Sequence, residues 1–178
     1  IPLLIEAIAA FGTGRHETTR LCLEALQELA KRRRCGRILD LGCGSGLLAL
    51  AAARLWPEAR VTASDLDAPS IRVARDNARL NGFAPGRIAF DVGAGYMAPA
   101  VRRGAPYDLI VANILAGPLI ALATQTAAAL APGGLAVLSG LLTAQERSVL
   151  HRHRAAGLGL QARRRMGEWS ALTLRKPR

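Results

Sequence analysis

Apolar residues along the chain repeat with two periods that take turns. After Thr18 and Thr19, Leu21, Leu23, Leu26 and Leu29 fall on a near-helical spacing, which predicts a helix running to the basic stretch at Lys31. Short apolar runs at 38–41, 60–64, 87–90, 107–112 and 135–139 predict five strands, and the run at 107–112 is apolar almost throughout, as expected of a strand covered on both faces. Helices are predicted between them at 47–55, stopped by Pro57, at 69–80, stopped by Asn81-Gly82, and at 118–130, with a turn at Ala131-Pro132-Gly133-Gly134. A further helix is expected over 143–156. The segments 158–165 and 168–174 then read as two strands of a hairpin around Gly167. Alternating strands and helices predict an α/β fold with a parallel sheet, helices on both faces, and a ligand at the carboxyl ends of the strands.

Composition narrows this picture. At 178 residues the chain is long enough to bury a sizeable core as one domain. It has no run of eighteen apolar residues and no basic leader at its start, so neither a membrane span nor a secretory signal is expected. Three cysteines, Cys22, Cys35 and Cys43, give no disulfide framework and fit a reducing cytoplasm. No metal site is expected: there is no CxxC pair, and His151 and His153 alternate with Arg152 and Arg154 on what reads as a solvated helix face. Net charge is +11, carried mostly by arginine, with clusters at 31–34 and 163–165 that either dock phosphates or serve as solubilising surface charge. Aromatic residues are too few for a platform that stacks single-stranded bases.

The chemistry concentrates at four places. Ile38 to Gly46 reads as a strand entering a turn with glycines at 42, 44 and 46. The dinucleotide fingerprint needs two residues between its second and third glycines; this spacing suits S-adenosylmethionine (SAM) better. Gly42, Gly44 and Gly46 would let the backbone lie against the cofactor, with Asp40 near its amino group. Asp65, about twenty residues on, can accept both ribose hydroxyl hydrogens; Asp67 is a second, weaker candidate for that contact, or else the cap of the helix that begins near Pro69. Asn113 follows the fourth strand and offers both an acceptor and a donor. Finally, 11–19 is a loop rich in glycine and threonine ahead of a helix, able to fold over a ligand, with Thr18 or Thr19 as a candidate N-cap.

Read together, Ala-Phe-Gly-Thr-Gly-x-His-x-Thr-Thr, Asp-Leu-Gly-Cys-Gly-Ser-Gly, Asp-Leu-Asp, Asn-Ile-Leu-Ala-Gly-Pro-Leu, Leu-Ser-Gly-Leu and Glu-Trp resemble the ribosomal protein L11 methyltransferases, from Ala10 to Lys176. The resemblance implies a Rossmann-like class I methyltransferase fold, with a seven-stranded, mostly parallel sheet and a C-terminal antiparallel hairpin. It implies SAM as cofactor and lysine ε-amines of ribosomal protein L11, with an α-amine in addition, as substrate. Thr19, Gly42, Asp65 and Asn113 are the implied cofactor contacts. Asn113, Thr13 and His16 are expected to border the reaction centre and orient the amine. The expected partners are L11, free or on the ribosome, and ribosomal RNA through the basic clusters. On this reading 1–36 is a loop and helix, 37–178 the core of one catalytic domain, and the family's N-terminal substrate-recognition domain is absent. Glu17 departs from the small residue or proline common in the family. The alternatives are a methyltransferase for another protein amine or for RNA, and an inactive SAM-binding or ribosome-associated module. Amide and DNA amino-methyltransferases usually carry Asn-Pro-Pro-Tyr after the fourth strand; Ile114-Leu115-Ala116 argues against them.

Overall fold

A computed structural model describes residues 3–4 and 17–178. The first helix, α1 (Glu17–Arg32), leads into an alternation of β1 (Arg37–Leu41), α2 (Leu47–Leu55), β2 (Arg60–Asp65), α3 (Ala68–Leu80), β3 (Ile88–Val92), α4 (Pro99–Gly104), β4 (Tyr107–Asn113), α5 (Ala116–Ala129), β5 (Leu130–Leu142), α6 (Glu146–Ala155), β6 (Gly159–Met166) and β7 (Trp169–Arg175). The sheet has seven strands in the order β3-β2-β1-β4-β5-β7-β6. β1 to β5 are mutually parallel, and β7 runs antiparallel to both β5 and β6. The chain order reverses beside β1, where β2 lies on one side and β4 on the other. That is the switch point where open α/β sheets bind ligands.

Alternate residues of the central strands feed two cores. Ile38, Leu109, Val111 and Val137 pack with Leu26, Leu50 and Ile71 under α1, α2 and α3. Leu39, Ile110, Ala112 and Leu138 pack with Leu119 and Val149 under α5 and α6. This period-two division explains why β4 is apolar without a break: each neighbour in sequence enters a different core.

Three local expectations change. α4 and the short 3₁₀ turn Gly95–Met97 stand between β3 and β4, where no helix is predicted. α4 is only six residues long and carries one buried side chain, Val101, too little to make a helical period visible. The turn at Ala131-Pro132-Gly133-Gly134 lies within β5 as an irregularity: Tyr107 pairs with Leu130 and Leu109 with Leu135, so five steps along β5 match two along β4. Thr18 and Thr19 lie within α1 and are buried, so neither caps its start.

Candidate functional site

β1, β2 and β4 end side by side and bring Gly42, Asp65 and Asn113 to one edge of the sheet. The turn after β1 is tied to β2 by the Gly42 and Cys43 N–H groups, both donating to the Ser64 carbonyl at 2.8 and 3.0 Å. Gly44 N–H donates to Asp65 Oδ2 at 2.8 Å, and Asp67 N–H to Asp65 Oδ1 at 3.0 Å. Two backbone donors thus fix the plane of the Asp65 carboxylate, and each oxygen keeps a further lone-pair site for a hydroxyl. Of the two readings of Asp67, the structure shows the cap: it closes the start of α3, accepting from Ser70 N–H at 2.9 Å and from the Ser70 hydroxyl at 2.7 Å.

Asp40 lies beneath the turn, buried. Its Oδ2 accepts from Ala49 N–H at 2.8 Å, whereas Oδ1 is buried without a partner. Burial pushes the carboxyl pKa up to about 7, against the Ala49 hydrogen bond, and Asp65 adds to the rise by charge repulsion. Burial likewise pushes up the Cys43 thiol.

Asn113 is held from a distance of 94 residues in the chain: its Nδ2 donates to Thr19 Oγ1 at 3.3 Å. Its Oδ1 is buried and has no partner. The adjacent Ile114 is clamped. A Cβ on Gly42 (φ 72°) would collide with the Ile114 side chain, and one on Gly140 (φ 82°) with its backbone. Ser139, just before Gly140, faces the Thr18 carbonyl at 3.3 Å and the Ser170 carbonyl at 3.0 Å. The start of α1 is therefore packed onto the ends of β4 and β5.

Thr19, Asp40, Gly42, Gly44, Asp65 and Asn113 thus gather at the strand ends. Gly46 turns towards α3, where a Cβ would stand 2.9 Å from Ala74 Cβ, so close packing there needs a glycine. Thr13 and His16 lie outside the described residues. The histidine pair reads differently from the expected solvated face. His151 is exposed, but His153 is buried with Nδ1 2.8 Å from the Val149 carbonyl, because residues two apart point to opposite sides of α6. Among the described residues no cluster of three His, Cys, Asp or Glu could hold a metal.

Sequence reasoning passed over Asn77, and it used Ile114, Ser139 and Gly140 only as parts of motifs, with no role in holding the site. Asn77 is buried on α3, where its Nδ2 donates to the Ser45 carbonyl at 2.9 Å and so pins the glycine turn. The available signal was a polar residue interrupting the apolar stripe Ile71, Ala74, Ala78.

Residues 1–177 match the family model described as Ribosomal protein L11 methyltransferase (PrmA). The chain is 48% identical over 172 residues to a protein of that name from Bradyrhizobium diazoefficiens, covering 97% of this chain and 58% of the relative. It is 45% identical over 177 residues to another from a Caulobacter species, covering 99% and 60%. It thus spans about six-tenths of the length of these curated relatives. The crystal structure of ribosomal protein L11 methylase from Lactobacillus delbrueckii subsp. bulgaricus superposes with a TM-score of 0.81 at 31% identity, covering 93% of this chain and 81% of that one.

Proposed function

Since this chain belongs to the ribosomal protein L11 methyltransferase family, we propose that it transfers methyl groups from SAM to lysine ε-amines, and to an α-amine, of ribosomal protein L11. The observation that carries the reading is Asn113: a half-buried side chain whose Nδ2 is engaged by Thr19 and whose Oδ1 is buried without a partner at the sheet's switch point. A buried carbonyl of this kind is costly unless something donates to it.

The donor set fits SAM. Asp40 Oδ1 and Asn113 Oδ1 are two buried acceptors without partners, matching a cofactor that brings amino-group donors. Asp65, oriented by Gly44 and Asp67, has lone pairs left for a pair of ribose hydroxyls. Thr19, Gly42, Gly44 and Gly46 complete the proposed cofactor contacts. When bound, SAM supplies an electrophilic methyl on a sulfonium, whose leaving group is neutral and needs no acid.

The chain's own task is to present an uncharged amine. A lysine with an ordinary pKa of ~10.4 is mostly protonated at neutral pH, so the site must desolvate it and release its proton to water. Asn113 Oδ1 has two lone pairs, and the one not used by the cofactor accepts one N–H of the neutral amine and so aims the nitrogen lone pair. Ile114, clamped between Gly42 and Gly140, keeps that oxygen in place. Thr13 and His16 are assigned to the same task of orienting the amine, with His16 a candidate proton acceptor. The work is placed in the cytoplasm, which suits three buried free cysteines. Among the described residues no helix is long and apolar enough to cross a membrane. Ribosomal RNA is proposed as a further contact of the basic surface.

Radiolabelled methyl transfer to purified L11 tests the reading. Asn113→Ala is expected to lower turnover about a hundredfold by losing alignment of the amine; near-normal turnover would remove Asn113 from its role. Cofactor binding with no transfer to L11, or label entering ribosomal RNA alone, would overturn the substrate assignment.

A further inference from the structure

Arginines far apart in the chain meet at the end of the sheet remote from the glycine turn. α1 ends at Arg32 and passes through Arg33 and Arg34 to the amino end of β1. Because β7 runs antiparallel to β5, Arg175 near its end pairs with Leu135, close to the start of β5, and with Gly159 at the start of β6. A cleft of about 510 Å³ opens here, lined by Arg32, Arg33, Arg34, Arg164, Arg175 and Arg178. Glu28 is the acidic residue of the lining, paired with Arg164 and, at 3.5 Å, with Arg32. Six guanidinium groups therefore face one carboxylate, and Arg33 Nε is buried without an acceptor. Strand alternation splits the cluster at 163–165: Arg163 and Arg165 pair with Glu146 at 2.9 and 2.7 Å, while Arg164 faces the cleft.

We propose that this cleft grips the sugar–phosphate backbone of a folded, double-stranded RNA. Guanidinium forks match phosphate oxygens in pairs, and gathering six of them around one carboxylate makes a site that a polyanion relieves of its self-repulsion. Among the described residues no Phe, Trp, Tyr or His lines the cleft, which therefore lacks a platform for unpaired bases there. Among the described residues none of the exposed large apolar side chains lines it either: Leu66, Val92, Met97 and Leu115 lie at or after the carboxyl ends of strands, at the opposite edge, and Leu4 and Leu80 lie beside the end of α3, outside the lining. A lipid surface would call for such side chains beside the charge. The inference deepens the RNA part of the proposed partnership and stands whether or not the methyl-transfer reading holds.

Fluorescence polarisation with a labelled RNA stem-loop, across a series of salt concentrations, tests it. The variant R34Q/R175Q spares both ion pairs of Glu28. It is expected to bind about tenfold or more weakly, with a salt slope reduced by about 2. Arg178→Gln, at an exposed position, should lose severalfold and reduce the slope by about 1. The control R152Q/R154Q removes the same charge from the exposed face of α6 and should bind as the unaltered protein does. Circular dichroism melts of each variant establish that it is folded. Unchanged binding by folded R34Q/R175Q and Arg178→Gln overturns the proposal, as does an equal loss in the control. So does displacement of the RNA by poly-glutamate or by phosphatidylglycerol vesicles at matched charge.

Discussion

Asp40 sets two requirements against each other: a carboxylate suits an amino group, yet its burial favours the protonated form. With a pKa near 7 in the fold against an ordinary 3.8, the direction of the pH effect is fixed. Below about pH 4 the folded and unfolded chains are both protonated at this group; between about 4 and 7 the folded chain keeps a proton that the unfolded chain has lost, so stability falls as pH rises through that window. Asp40→Asn keeps an oxygen for Ala49 N–H and removes the titration. Its unfolding free energy, from urea melts at about pH 5 and about pH 8, should therefore decline less than that of the unaltered protein. Parallel declines would show that Asp40 does not titrate there. Cofactor affinity is expected to rise with pH through about 7, because the ionised form is the better acceptor for an amino group, and to lose that dependence in the variant; calorimetric titration on both sides of that pH checks it.

At the scale of elements, the glycine turn is held from below by α3, through the Asn77 amide and the close packing of Gly46 on Ala74. Ser45 is fully buried, and the Asn77 amide donates to its carbonyl inside the fold, so removing that amide takes away a buried hydrogen bond. Asn77→Ala is expected to cost about 1–3 kcal/mol in denaturant melts and to weaken cofactor binding as the turn loosens. A loss too small to measure would mean that water replaces the amide. The contrast between this turn and its support explains what could be read in the chain beforehand. Glycine spacing, the strand before it and Asp65 are local, and local patterns predicted β1, α2, β2 and α3 to within a residue or two. The contacts that hold the site in register are not local. Thr19 to Asn113, Gly140 to Ile114 and Asn77 to Ser45 join segments that only the sheet order makes neighbours. α4 escaped for a different reason: one buried side chain in six residues leaves no period to read.

Across the whole molecule, α1 links two ends of one sheet with different chemistry. Its first turn places Thr19 against Asn113, and its last residue enters the arginine cleft. Sixteen residues of helix separate those ends by about 24 Å. At moderate ionic strength the Debye length is about 8–10 Å, so the cleft's charge is largely screened at the glycine turn. The two sites should then bind independently, each ligand stabilising the fold by its own affinity. SAM at a hundred times its dissociation constant is expected to add about 2.7 kcal/mol to the stability, an increase of several degrees in Tm. That increase should persist in R34Q/R175Q, and Asp65→Ala should lose it while still binding the RNA stem-loop. If RNA instead changes the SAM affinity by more than about threefold, or R34Q/R175Q abolishes the thermal shift, the ends are coupled, and α1, the one helix touching both, is the element through which the coupling runs.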